Sequence, residues 1–312
     1  MTKSSNVAQW LMGRDHFAII THRRPDGDTL GSAALLCRGL RQLGKTAHIL
    51  RNQEITPKYA HLHEGLTKDA PEAGDILLCV DVAAPRMLPD CFADLPIALR
   101  IDHHEDAQSF TQEAWVCPEA AACGELVFEV LTQLGVQLDI PMAEALYTAV
   151  STDTGCFRYA NTTANTFRVA AECVQAGADV FLINQTLFET NSLGRLRLQG
   201  WITENALFFG DNTMVICPIP KATEEALGLS EDDMENISGF PRSIEGVKIA
   251  ATLREEGENR LKLSVRAVPG YDATAVCARF GGGGHKGAAG ATLPMSMEEA
   301  VNALKPVMEE ML

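Results

Sequence analysis

The amino-acid sequence predicts an α/β protein of two domains: an N-terminal parallel sheet flanked by helices and a smaller C-terminal mixed α/β lobe, with a cleft between them. Three observations carry this. Short apolar runs in the first half, such as Phe17 to Ile20 and Ile76 to Val80, each lead into an acidic or histidine cluster. Buried parallel strands do this when their carboxyl ends meet at one edge. The last third turns instead to paired strand-like segments joined by Gly, Asn and Asp, the signal of hairpins. Finally, 312 residues are too many for one typical domain and suit two.

Residues 7–16 predict an amphipathic helix leading into the first strand, Phe17 to Ile20. A polar loop follows, Thr21 through Ser32, then a helix from Ala33 to Leu43 that stops at Gly44. Ala47 to Leu50 predicts a second strand. Residues 51–74 are polar and irregular; His61 and His63 lie there without a carboxylate cluster and are expected at the surface. Ile76 to Val80, ending in Asp81, and Ile97 to Ile101, ending in Asp102-His103-His104, predict two more strands. The apolar stretch from Ala143 to Val150 predicts a helix closed by Asp153. Thr163 to Ala176 predicts another, Asn184 to Asn191 a weaker one, and Ser192 to Leu198 a helical connector. No Gly/Ser or Pro tract interrupts this region, so the linker is expected to be ordered. The domains are assigned as residues 1–190, a helical linker at 191–205, and residues 206–312.

In the second domain, Ala206 to Phe209 and Thr213 to Cys217 flank a Gly-Asp-Asn turn and predict a hairpin. Residues 222–238 are acidic and helical in tendency. Val247 to Arg254 and Arg260 to Arg266 predict a second hairpin, and Asp272 to Phe280 a short helix. The run Gly281-Gly282-Gly283-Gly284-His285-Lys286 lets backbone amides approach an anion closely. With Ala288 and Ala289 expected to open a tight helix, it reads as a phosphate cradle.

Composition narrows the class. The chain is 46% hydrophobic and 21% charged, an ordinary globular balance. No apolar run is long enough to cross a bilayer, and no signal peptide is read at the start, so the protein is expected in the cytoplasm. Nine scattered cysteines without a C-x-x-C pair fit buried thiols in a reducing cytosol better than disulfides or a thiolate zinc site. A net charge of −15 makes the chain a poor candidate for gripping long nucleic acid through a broad basic face, but does not exclude a short phosphate-bearing substrate.

The chemistry gathers at four places. His22, Asp26 and Asp28 share the first loop, where Pro25 and Gly27 bend the backbone. One imidazole and two carboxylates there suit a divalent metal with mixed nitrogen and oxygen donors, such as manganese. An Asp28 cap beside a surface histidine would use the same residues. Asp81, Asp102-His103-His104 and Thr152-Asp153-Thr154-Gly155 follow. A parallel sheet brings strand ends to one edge, so the clusters converge.

Together, His22-x-x-x-Asp26-x-Asp28, Asp81, Asp102-His103-His104 and Thr152-Asp153-Thr154-Gly155 resemble the four motifs of the DHH phosphoesterase superfamily. Phe280 through Gly290 resembles the glycine-rich signature of the companion DHHA1 domain. Thr152 through Thr162 is similar to the branch of oligoribonucleases and pAp phosphatases. The resemblance implies a hydrolase with two divalent metals, most readily Mn2+. His22 and Asp26 would hold the first, Asp28, His103 and Asp153 the second, and Asp81 would bridge them. His104 would contact the scissile phosphate, and Asp102 would orient a histidine; a plain turn residue is the alternative for Asp102. On the second domain, Gly282, Gly283, Gly284 and His285 with Arg266 would hold a terminal phosphate or nucleotide, and Arg158 would assist on the first. The segment Ala267 to Tyr271 departs from the more polar one expected there. The implied substrates are short oligoribonucleotides, with pAp beside them. Cyclic di-AMP or linear dinucleotides are the runner-up, and a non-catalytic nucleotide sensor the alternative from another class. No membrane and no long nucleic acid are expected as partners; a homodimer accords with the resemblance.

Overall fold

The computed structural model describes residues 3–105, 107–234 and 236–311. The chain divides into two compact units, residues 1–190 and 191–312.

The first unit runs α1 (Ser4–Met12), β1 (Phe17–Ile20), α2 (Gly27–Gln42), β2 (Ala47–Leu50), β3 (Thr67–Lys68), β4 (Ile76–Val80), β5 (Leu99–Asp102), β6 (Glu113–Val116), α3 (Cys123–Gln133), α4 (Ile140–Asp153), α5 (Ala164–Gln175) and α6 (Val180–Asn184). All six strands are parallel, in the order β3-β2-β1-β4-β5-β6. The order reverses between β1 and β4, where a crevice opens beyond the strand ends in folds of this kind. Phe17, Ile19, Ile49, Leu78, Val80 and Leu99 point to one face and pack against α2, α3 and α4. Ala18, Ile20, Leu50, Leu77 and Cys79 point to the other. There the cover is the segment carrying Val82, Leu88, Phe92 and Ile97, with two short helical turns at Pro85–Met87 and Asp90–Phe92, where flanking helices were expected. Side chains that alternate between two dry faces explain why each strand reads as unbroken apolar sequence. Strands β3 and β6 have no such run: β3 is two residues long and β6 is only partly buried.

Local chemistry sets the helix starts. Asp26 caps α2 by accepting from the Asp28 and Thr29 amides at 3.1 and 3.2 Å. Asp139 caps α4, and Thr163 with Thr166 forms a capping box on α5. Of the two histidines expected at the surface, His61 is exposed but His63 is buried, its Nε2 3.0 Å from the Leu30 carbonyl oxygen. A single histidine in a polar stretch gives no sign that α2 will pack over it.

The second unit runs α7 (Leu193–Asn205), β7 (Leu207–Phe209), β8 (Met214–Ile219), α8 (Lys221–Leu227), α9 (Glu231–Met234), β9 (Ile249–Gly257), β10 (Arg260–Ala267), α10 (Ala273–Ala278), β11 (Gly283–His285), β12 (Ala288–Leu293) and α11 (Met297–Glu309). Its sheet order is β11-β12-β10-β9-β8-β7, antiparallel except for β8 with β9. Ala288 and Ala289 therefore do not open a helix: they begin β12, which pairs with β10 from Leu261↔Leu293 to Arg266↔Ala288. Among the described residues, no helix is long and apolar enough to cross a membrane.

Candidate metal centre

Strand β1 hands the chain to His22, the first donor. Its Nδ1–H donates to the Arg23 carbonyl at 2.8 Å, which leaves the Nε2 lone pair facing inward. Nε2 lies 3.5 Å from Asp26 Oδ1 and 3.6 Å from Asp81 Oδ2. Asp81 stands just past β4, the neighbouring strand at the switch point. Its backbone is left-handed, φ 60°, a conformation non-glycine residues rarely adopt, and its N–H donates to the Ile101 carbonyl at 2.9 Å. The Thr29 hydroxyl joins the two strand ends, donating to the Val80 carbonyl at 3.0 Å and accepting from the His22 amide at 3.4 Å.

Strand β5 delivers His103. Its Nδ1–H donates to the Ala120 carbonyl at 3.1 Å. Its Nε2 then faces three acids: Asp81 Oδ1 at 3.4 Å, Asp153 Oδ2 at 3.5 Å and Asp28 Oδ2 at 3.6 Å. Asp81 thus turns one oxygen toward His22 and the other toward His103. The donor atoms of His22, Asp26 and Asp81 all lie within 4.8 Å of one another, and so do those of Asp28, His103 and Asp153. A third such group, Asp81, His103 and His104, includes an imidazole whose Nδ1 already lies 2.8 Å from Asp102 Oδ1.

Asp28 and Asp153 come from helices, and glycines bring those helices together. A Cβ at Gly27 would sit 2.5 Å from the Thr152 side chain. One at Gly31 would collide with the Ala145 carbonyl oxygen, and one at Gly124 would come within 2.7 Å of the Ala149 methyl. Asp28 is fully buried. Its carboxylate accepts from the Cys123 and Gly124 amides at 2.6 and 3.0 Å, at the start of α3, and from the Ser32 hydroxyl at 3.0 Å. These holding groups were not read from the sequence. Ser32, one turn after Asp28 on α2, carried a signal of spacing; Cys123 and Gly124, distant in sequence, carried none.

Acids this buried and crowded have shifted pKa values. Burial, then the Asp81 and Asp153 charges, push Asp28 well above the usual carboxylate range. Burial, opposed by His103, pushes Asp153 up to about 7. Burial alone would raise Asp81, but the His103 and His22 imidazoles beside it carry it down. Burial lowers His22 and His103, yet the surrounding acids win: His22 rises well above its ordinary value and His103 to about 11. Asp81 Oδ1 is buried and accepts no well-formed hydrogen bond among the described residues. A set of carboxylate oxygens and imidazole nitrogens without thiolates suits hard or borderline divalent ions.

All eight sequence-predicted residues of the first unit's cluster, His22, Asp26, Asp28, Asp81, Asp102, His103, His104 and Asp153, converge at this one edge. Arg158 lies beyond it, exposed, its Nε–H donating to the Gly155 carbonyl at 2.6 Å. It follows three successive left-handed residues, Gly155, Cys156 and Phe157. On the second unit, His285, Ala288 and Arg266 stand in register across β11, β12 and β10 and share a face. Gly283, Gly290 and Ser264 form the next row on that face. Two charge-bearing side chains thus flank a floor without bulk. Gly282 and Gly284 have a different duty. A Cβ on Gly282 would strike Gly290, and Gly284, at φ 144°, lies against the Ala288 carbonyl.

Residues 16–150 match the model of the DHH family, N-terminal domain, and residues 217–311 that of the DHHA1 domain. The chain is 32% identical to the bifunctional oligoribonuclease and PAP phosphatase NrnA of Thermus thermophilus, over 94% of this chain and 89% of that one. It is 26% identical to the Bacillus subtilis protein of the same description, over 90% and 91%. An exopolyphosphatase-related protein from Bacteroides fragilis superposes with a TM-score of 0.88 at 26% identity, covering 98% of this chain and 95% of that one.

Proposed function

This chain belongs to the DHH family of phosphoesterases, with a DHHA1 domain as its second unit, and from that premise we propose that it hydrolyses short oligoribonucleotides to mononucleotides, and pAp to AMP, with two manganese ions. The observation that carries this is Asp81, whose two oxygens face two separate donor groups. One ion would be held by His22, Asp26 and Asp81, the other by Asp28, Asp81, His103 and Asp153. Bound there, such ions supply positive charge to the phosphoryl oxygens and lower the pKa of an attacking water. The protein's own groups do the rest. The Nδ1–H donations of His22 and His103 to backbone carbonyls fix their rings. Asp102 holds the His104 ring, which would meet the scissile phosphate. Asp28, gripped by two amides and a hydroxyl, cannot swing away when its charge changes. On the second unit, His285 and Arg266 would take a terminal phosphate over the glycine floor, supported by their shared face. The activities named for the Thermus and Bacillus relatives support the choice of substrate.

The test is a substrate panel with manganese: pAp, RNAs of about two to five nucleotides, a linear dinucleotide and cyclic di-AMP, on the parent and on Asp81→Asn. Short RNA and pAp should be turned over, and Asp81→Asn should cost about 10³-fold or more in kcat while the fold survives. Turnover of Asp81→Asn within about tenfold of the parent would remove the bridge. Activity confined to cyclic di-AMP would move the substrate assignment.

A further inference from the structure

Arg100, on β5, is 3% exposed, and a cation so far from water is costly unless its neighbours repay the desolvation. Its Nη1 lies 3.3 and 3.1 Å from the carbonyl oxygens of Val82 and Ala83, the two residues that follow Asp81. The same nitrogen is 3.6 Å from Asp102 Oδ2. The Phe110 ring covers the guanidinium, 5.0 Å away. Asp102 is fully buried, and Oδ1 does all of its hydrogen bonding: it accepts from the His103 amide at 2.9 Å, the His104 amide at 3.3 Å and His104 Nδ1 at 2.8 Å. Oδ2 has no hydrogen-bond partner among the described residues, so the guanidinium is the charge it faces.

We propose that Arg100 is a positioning residue whose Nη1 fixes two things at once: the turn that follows Asp81, and the Asp102 carboxylate that holds the His103 and His104 amides and the His104 ring. Neither contact touches substrate or a donor atom of the metal centre. Without the guanidinium, the Val82 and Ala83 carbonyls lose a buried donor and Asp102 is left as an unpaired buried charge. Unpaired buried charges rearrange or draw in water, and either response shifts the His103–His104 backbone and turns the His104 ring. Because one nitrogen makes all three contacts, a lysine ammonium, though one bond shorter, keeps a cationic donor facing Asp102, whereas an apolar side chain of similar length does not. This inference rests on the roles proposed above for Asp81, His103 and His104, but its first test does not need activity.

That test follows the His104 Nδ1–H proton in metal-free protein by nitrogen-edited NMR at fixed pH, where a short bond to a carboxylate moves it far downfield. The signal is expected in the parent and in Arg100→Lys and absent in Arg100→Met. The second test is kinetic, on a short RNA with manganese. Arg100→Met should lower kcat about tenfold or more with KM within about twofold, and Arg100→Lys should stay within about threefold of the parent. In an Asp102→Asn background, Arg100→Met should cost no more than about threefold, because the charge it balanced is gone. An unchanged resonance in Arg100→Met, or the same kcat factor in both backgrounds, overturns the proposal. If Arg100→Met does not fold, Arg100→Lys decides: loss of either the resonance or the rate there rejects it. A parent inactive on every RNA would reject the proposed function while leaving the NMR result to stand.

Discussion

The His63 imidazole is buried against α2, with Nε2 3.0 Å from the Leu30 carbonyl oxygen. Burial pulls its pKa down to about 4, against the ordinary 6.5, with the Leu30 bond opposing. A depressed folded pKa means that, between pH 6.5 and 4, the unfolded chain takes a proton that the folded chain refuses. Stability is therefore whole above about pH 6.5 and lost as pH falls toward 4. We expect the parent to lose about 3 kcal/mol more than His63→Gln between pH 7 and 4, since the glutamine amide donates to Leu30 without titrating. Urea melts of the two proteins across that range check this, and parallel curves would rule it out. His63 also marks what the sequence concealed. The metal donors were legible because acids and imidazoles at strand ends break an apolar pattern. His63 sits in an irregular stretch that mixes polar residues with isolated apolar ones, so no periodicity separated a buried histidine from an exposed one. Arg100 was hidden in the opposite way, as one cation within the apolar run from Ile97 to Ile101.

At the scale of elements, the strands that carry donors were visible and the packing that aims the donors was not. Periodicity marks the faces of α2 and α4, yet only the structure shows that Gly31 meets the Ala145 backbone. Gly31 lies one turn after Asp28, and Ala145 two turns before Asp153, so this contact sets the spacing of two proposed ligands from different helices. Gly31→Ala should cost about 2 kcal/mol, since a backbone carbonyl cannot yield as a side chain does. It should also weaken manganese binding about tenfold, measured by calorimetric titration. Gly200→Ala on α7 is the control: its Cβ meets nothing within 4 Å, so it should stabilise by about 0.5–1 kcal/mol. A Gly31→Ala protein as stable and as tightly metallated as the parent would show that the helices have slack. The glycine run teaches the converse. Its composition suggested a loop ahead of a helix, but strand pairing took precedence: β12 satisfies its backbone against β10 over six residues, which no short helix there would match.

For the molecule as a whole, composition was informative where no local motif was. Acidic residues number 41 against 26 lysines and arginines, so the chain carries −15 into any encounter with RNA. A short substrate presents few phosphates, and the proposed cations with His104 would engage those next to the bond that is cut. A long strand presents many more, each repelled by the chain's net negative charge. The field of the whole protein therefore opposes long RNA while local charge favours short RNA. This predicts an unusual dependence on salt. Protein–RNA association normally weakens as salt rises, because condensed counterions must be released. Here added salt should screen the repulsion felt by a long strand and leave its rate unchanged or raised, while the rate on short RNA falls modestly. At low salt, kcat/KM for RNAs of about two to five nucleotides should exceed that for a strand of about twenty by tenfold or more, and the ratio should shrink as ionic strength rises from about 20 to 200 mM. Measuring both substrates across that range, with manganese constant, separates charge from fit. A ratio that stays constant with salt would mean that shape alone excludes the longer strand, and equal rates at low salt would mean that the acidic surface does not act on RNA at all.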